Sequence, residues 1–320
     1  MNYIDLFCGM GGFRIAVENV FRRYNIIGKC VFSSDIDRDS KTIYKTNFSE
    51  EPADDICRIE ASQIPEHDLL LAGFPCQPFS IMGTMQGFED TRGTLFFEIA
   101  RILEHKTPKI VVLENVKQLV GHDKGRTLKR ILETLNSLGY YTDYRVLNAL
   151  NFGLPQKRER VFIVGFREPV KFNWIKKSVP MLPLEKVLED NVSDFYYASE
   201  AIKTNRLAKR IKIEAHRTIW HENKGGHISA YPFSCALRAG ASYNYLLVDG
   251  ERRLTEREML RLQGFPESYQ IVGGYNSIRK LTGNSLAIPV AEAVIEAVVE
   301  ALMKAETALI QTPLFELATV

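Results

Sequence analysis

The chain has 320 residues, 45% of them hydrophobic and 25% charged, with a formal net charge of +2. This composition suits a globular protein of one large domain or two smaller ones and excludes a disordered or collagen-like chain. The near-neutral balance also excludes a strongly basic nucleic-acid coat, so any reading of nucleic-acid contact must rest on local features. Short apolar runs at residues 3–7, 30–34, 69–72, 110–113 and 160–165 predict strands. Helical spacing falls between them, as in Leu95-Phe96-Ile99-Ile102-Leu103 and in Leu128-Ile131-Leu132-Leu135-Leu138, the latter stopped by Gly139. The alternation predicts an α/β fold with a doubly wound, mostly parallel sheet. From about residue 170 the regularity fails, and basic residues mix with aromatics and glycines, which predicts a smaller, irregular second domain. Near the end, Pro289 opens a helix whose stripe Val290, Ala293, Val294, Ala297, Val298, Ala301 and Leu302 faces a core.

The amino terminus has no basic segment leading into a long apolar run, and no stretch reaches the roughly eighteen apolar residues of a membrane span. The expectation is a soluble cytoplasmic protein with no membrane partner. Cys8, Cys30, Cys57, Cys76 and Cys235 form no C-x-x-C pair and are odd in number, which suits free thiols better than a disulfide or zinc framework; no metal is expected.

Three features point to a ligand at the carboxyl edge of the sheet. The first strand runs into Phe7-Cys8-Gly9-Met10-Gly11-Gly12, a turn that serves equally for tight reversal or for close approach of a ligand, without the spacing of a dinucleotide fingerprint. Asp35 follows the second strand, where an acidic residue accepts from ribose hydroxyls, and Asp55 offers another carboxylate near the same edge. Cys76, between Pro75 and Pro78, follows the third strand; alone it reads more readily as an inert apolar residue than as a nucleophile. Glu114 ends the fourth strand, with the Asn115 amide beside it to orient the neighbouring loop. Arg158 and Arg160 alternate in Gln156-Lys157-Arg158-Glu159-Arg160, and an extended segment would point both the same way.

In order along the chain, Asp5-Leu6-Phe7-Cys8-Gly9-Met10-Gly11-Gly12, Gly73-Phe74-Pro75-Cys76-Gln77-Pro78-Phe79-Ser80, Gly87-Phe88-Glu89-Asp90-Thr91-Arg92-Gly93, Glu114-Asn115-Val116 and Gln156-Lys157-Arg158-Glu159-Arg160 are followed by Arg253-Leu254-Thr255, Arg261-Leu262-Gln263-Gly264-Phe265-Pro266 and Gly283-Asn284-Ser285. Together these blocks resemble the DNA cytosine-5 methyltransferases, in particular the compact bacterial enzymes of restriction–modification systems. The resemblance implies a Rossmann-like methyltransferase domain that transfers a methyl group from S-adenosylmethionine, leaving S-adenosylhomocysteine, to carbon 5 of a cytosine flipped out of double-stranded DNA. It implies Cys76 as the nucleophile at carbon 6, Glu114 as the acid at ring nitrogen 3, Arg160 on the cytosine carbonyl and Arg158 in support. Phe7, Gly9 and Gly11 would line the cofactor site, with Asp35 on the ribose, Ile36 on the adenine, Asp55 at its amino group, and Asn284 and Ser285 closing the pocket.

The implied organisation is a catalytic domain over residues 1–186, a target-recognition domain over 187–256, a hinge over 257–282 and a closing segment over 283–320. Residues 80–92 would form a loop that shuts over the flipped base, with Thr91 and Arg92 on phosphate. Lys203, Arg206, Lys209, Arg210, Lys212, His216, Arg217, Trp220, His221, Lys224, His227, Tyr231, Arg238, Tyr243 and Tyr245 are the basic and aromatic residues available to meet DNA; on a helix, residues 203–212 read equally as a solvated face. A monomer is expected, and a companion restriction endonuclease would be a separate chain. A tRNA cytosine methyltransferase of the same fold and a catalytically silent DNA-binding homologue are the alternative readings.

Overall fold

The computed structural model describes residues 1–75, 95–175, 178–209 and 217–311. The strands of the larger part are β1 (Asn2–Leu6), β2 (Lys29–Ser34), β3 (Leu69–Gly73), β4 (Ile110–Val116), β5 (Tyr141–Asn148), β6 (Gln156–Lys157) and β7 (Glu159–Phe166). Six of them form one sheet in the order β2-β1-β3-β4-β7-β5. The first four are parallel, while β7 runs antiparallel to both β4 and β5. The five predicted strands are all present, β4 continuing past Leu113 to Val116. β5 escaped prediction because it is an edge strand, largely exposed, and so carries no apolar run.

The helices are α1 (Gly12–Arg23), α2 (Arg38–Phe48), α3 (Leu95–Lys106), α4 (Arg126–Ser137), α5 (Glu200–Lys209), α6 (Glu256–Gln263), α7 (Tyr275–Asn284) and α8 (Ile288–Gln311). Pleating sends alternate side chains of the central strands to opposite faces. Leu69, Leu71, Ile110, Val112, Phe162 and Val164 pack with α1 and α8. Leu70, Ala72, Val111, Leu113, Val161 and Ile163 pack with α3 and α4. Burial on both faces is why these strands read as unbroken apolar runs. Polar contacts also join α1 to α8: Asn19 donates to Glu292 at 2.7 Å, and the Tyr24 hydroxyl reaches Glu296 at 3.2 Å and Glu300 at 3.3 Å.

Beyond residue 187 lie α5 and the short strands β8 (Ile219–Glu222), β9 (Ile228–Tyr231), β10 (Ser234–Cys235) and β11 (Leu246–Val248). β8 pairs antiparallel with both β9 and β11, while β10 leaves them to pair in parallel with β6. Strands of two to four residues are too short to show a period, so this region reads as irregular in sequence. The two ends of the insert meet at a buried ion pair, where Arg252 donates to both oxygens of Glu258 at 2.9 and 2.8 Å. Glu258 also accepts from the backbone N–H of Glu189 and of Thr255, each at 2.8 Å. Ile219, Leu237, Tyr245 and Leu246 belong to the same apolar cluster as α1 and α8, so the insert is rooted in the main core.

One polar group lies deep under the sheet edge. Asp5 is 1% exposed, and neither carboxylate oxygen has a hydrogen-bond partner among the described residues. Burial raises its pKa, Arg14 draws it down, and Asp35 and Glu50 raise it further, to about 8. The folded protein therefore holds a proton that the unfolded chain releases near its ordinary carboxylate pKa of about 4. This contribution to stability is complete below about pH 4 and is lost as pH rises through about 8. Asp5→Asn removes the titration, so the difference in unfolding free energy between variant and wild type should move in the variant's favour by about 4 kcal/mol from pH 5 to pH 9. Urea denaturation at the two pH values measures it; an unchanged difference contradicts the assignment.

Candidate active site

The carboxyl ends of β1 to β4 open onto a cleft of about 440 Å³, at the edge where open α/β sheets hold their ligands. After β1 the chain reverses through Phe7 and Gly9, both in left-handed backbone, and enters α1. Phe7 and Gly9 line the cleft, and a Cβ on Gly9 would meet nothing within 4 Å, so this glycine opens onto free space. Gly11, expected in the same wall, is not part of the lining. It caps α1 at φ 77°, and a Cβ there would come within 2.3 Å of the Phe48 ring. Packing of α1 on α2, rather than approach of a ligand, requires a glycine at that position.

Asp35 stands at the end of β2, where its carboxylate accepts from the backbone N–H of Gly9 and of Asp37, each at 2.8 Å. Burial raises its pKa, while those two amides pull it back. Next to it Ile36 is 72% exposed yet lines the cleft, so an apolar side chain faces the open space. Asp55 lines the cleft while accepting from Cys57 N at 3.0 Å. Asn284 and Ser285, at the end of α7, form the facing wall. Sequence reasoning missed the pair that crosses the rim, in which Lys280 of α7 donates to Asp37 of the β2–α2 connection. Asp37 could have been found as the cap of α2, since its side chain accepts from Ser40 N at 3.0 Å. Nothing in the sequence signals Lys280 as its partner.

The chemistry-bearing end of the cleft is built by strand register. Glu114 of β4 lies opposite Gly73 of β3 and Phe162 of β7, and Val116 lies opposite Arg160. Because β7 is antiparallel, its beginning, rather than its end, lies at the ligand edge. Arg160 Nε accordingly sits 3.0 Å from Glu114 Oε1, an ion pair whose angles leave that oxygen without a hydrogen bond. Glu114 is 8% exposed, and burial raises its pKa against the opposing pull of Arg160 and Arg158. Asn115, buried in the cleft wall, donates to Phe74 O at 2.9 Å and thereby fixes the backbone that enters Pro75. Cys76, the expected nucleophile, lies outside the described residues, as do Thr91, Arg92 and the remainder of the expected closing loop.

Arg158 does not join Arg160. The strand is interrupted at Arg158, between β6 and β7, where Arg158 N donates to Gln156 O at 3.0 Å, so the two arginines diverge rather than sharing one face of an extended strand. Arg158 is 1% exposed, outside the cleft lining, and its guanidinium donates to three backbone carbonyls.

In the insert, several residues grouped as available to DNA are structural. Arg206 is 3% exposed and donates to Glu222 at 2.8 Å. Trp220 fills the small sheet, with its indole N–H on Thr218. The buried Tyr245 hydroxyl accepts from Arg238 N at 2.8 Å. Arg238, Lys209, Lys224, His227 and Tyr243 are exposed. Arg210, Lys212 and His216 lie outside the described residues.

The fold is similar to that of a methyltransferase of Entamoeba histolytica, with a TM-score of 0.72 at 20% identity over 94% of this chain and 98% of that one. In sequence it is similar to the Type II methyltransferase M.NgoBI of Neisseria gonorrhoeae, 53% identical over 91% of this chain and 90% of the relative. M.HaeII of Haemophilus aegyptius, also a Type II methyltransferase, is 51% identical over 91% and 90% of the two chains. The family model for C-5 cytosine-specific DNA methylases matches residues 1–300. A chain with this sheet, this cleft and a match of that extent belongs to the C-5 cytosine-specific DNA methylases.

Proposed function

We propose that this chain is the modification methyltransferase of a restriction–modification system, that it methylates cytosine within a short duplex DNA sequence, and that S-adenosylmethionine binds in the cleft below Glu114. The observation that carries this reading is the meeting of Glu114 with Arg160 at the rim of a cleft whose other wall offers Asp35 and the exposed Ile36. The cleft fits a nucleoside-bearing donor. Asp35 accepts from ribose hydroxyls, Ile36 covers the adenine, Asp55 meets its amino group, and the open space at Gly9 admits the rest. The bound donor supplies a methyl group on a sulfonium centre.

The other steps belong to side chains. Cytosine carbon 5 is too weak a nucleophile to take the methyl until a thiolate adds at carbon 6, and that is the role of Cys76. Addition drives electron density toward ring nitrogen 3, where Glu114, whose pKa burial raises, donates a proton. Arg160 holds the ring carbonyl and orients Glu114. After transfer, the proton on carbon 5 departs to a base and Cys76 is expelled, which restores the ring. A duplex cannot present both ring faces to the cleft, so the cytosine is flipped out. The relatives' assignment as Type II methyltransferases supports a separate companion endonuclease. No described helix is long and apolar enough to cross a membrane; a monomer working in the cytoplasm is the simplest arrangement.

Mapping 5-methylcytosine at single-base resolution in genomic DNA from cells expressing the wild type should show one short motif methylated. Unmodified DNA together with newly methylated tRNA would replace this reading with the RNA one.

A further inference from the structure

The run Gln156-Lys157-Arg158-Glu159-Arg160 serves two places at once. Arg160 goes to Glu114, whereas Gln156 and Arg158, both buried, grip one residue of the insert from its two sides. Leu237 N donates to Gln156 Oε1 at 3.2 Å, and Arg158 donates to Leu237 O at 3.1 Å. Pairing of Ser234 with Gln156 and Cys235 with Lys157 sets this register. The same Arg158 guanidinium donates to Gly283 O at 3.0 Å and to Ser285 O, at the end of α7 that walls the cleft. The insert also touches that wall directly. A Cβ on Gly283 would fall 2.3 Å from Ala239 N and 2.7 Å from the Arg238 carbonyl carbon, so only a glycine lets the two backbones meet. The other end of α7 holds the next stretch of the insert. Arg279 donates to Ala241 O at 2.6 Å and lies over the Tyr243 ring at 4.6 Å, and Tyr243 stacks on Tyr275.

We propose that Gln156 and Arg158 are positioning residues that lock segment 234–243 to the cleft wall at residues 283–285, so that filling the cleft orders the segment presenting Arg238 and Tyr243 to DNA. A ligand resting on Asn284 and Ser285 restricts the end of α7. That restriction passes through the Arg158 fork and the Gly283–Ala239 contact into the insert. Rigid backbone pressed on rigid backbone leaves little slack, and two sites that share a rigid element are coupled in both directions. No single carbonyl could achieve this; the planar fork spans Leu237 and the end of α7 together.

The inference rests on the reading that the cleft takes S-adenosylmethionine, and the test separates the two. S-adenosylhomocysteine is titrated into the full chain by calorimetry, and backbone hydrogen exchange is followed with and without it. Slowed exchange is expected both at the Phe7–Gly9 turn and across residues 234–243, the latter by at least about five-fold, the lower end of ordinary coupling between sites. Protection confined to the cleft overturns the proposal. In Arg158→Lys, which keeps the charge but loses the fork, cleft protection should persist while protection of residues 234–243 drops by more than half; full retention there removes Arg158 from the role. If that variant does not fold, the wild-type comparison still decides. Absence of any binding heat removes the cofactor reading itself, a result distinct from binding without protection of the insert.

Discussion

Cys76→Ala is expected to lower the single-turnover rate of methyl transfer to duplex DNA by on the order of 10⁴-fold or more, the scale on which loss of a covalent nucleophile is felt. The residual rate would come from Glu114, Arg160 and bound geometry alone, acting on a ring that has not been made electron-rich. Binding of S-adenosylhomocysteine should be unchanged, because the residues proposed to hold it, Asp35, Ile36, Asp55, Asn284 and Ser285, line the cleft from segments other than the one that carries Cys76. Calorimetry paired with a labelled-methyl assay checks both halves. A Cys76→Ala enzyme that still methylates at a tenth of the wild-type rate would remove Cys76 as nucleophile. The four described cysteines offer poor substitutes: Cys8, for example, is 6% exposed, and burial holds its thiol pKa well above normal.

Glu114→Gln is expected to lower kcat by about 10²- to 10⁴-fold, the usual contribution of a positioned general acid. The pH dependence carries the diagnosis. Burial raises the folded-state pKa of Glu114, so the proton needed at ring nitrogen 3 is present at low pH and is lost as pH rises through that raised value. Wild-type activity should fall on the alkaline side for this reason, and the glutamine variant, which cannot titrate there, should lack that limb. The same substitution should not harm folding. The folded-state benefit of a raised carboxyl pKa disappears with rising pH, so the neutral isostere should gain in stability relative to the wild type as pH rises. A variant with full activity, or one whose alkaline limb is unaltered, would assign the proton to another group.

The parts of this architecture legible in the sequence are those set by local physics. Central strands buried on both faces announce themselves as apolar runs, and Asp35, Glu114 and Asn115 could be placed because each stands where such a run ends. What escaped depends on contacts between distant segments. β5 has one open edge and a mostly exposed face, so no pattern marks it. Arg158 and Arg160 look equivalent in the sequence, yet a one-residue interruption between β6 and β7 sends them to different partners. Gly11 and Gly9 are indistinguishable in a glycine-rich turn, and only the Phe48 ring tells them apart. Arg206 and Trp220 resemble a nucleic-acid-binding surface by composition, while tertiary packing turns both inward.

The last helix completes the support of the cleft. The glycine turn that opens the cleft is carried on α1, and α1 is buttressed by α8 through Glu292, Glu296 and Glu300; the facing wall at Asn284 and Ser285 is made only just before α8. During translation the first strand and Glu114 leave the ribosome before either support exists. A chain truncated before α8 is therefore expected to lack the support that holds the glycine turn in place and to leave the cleft open.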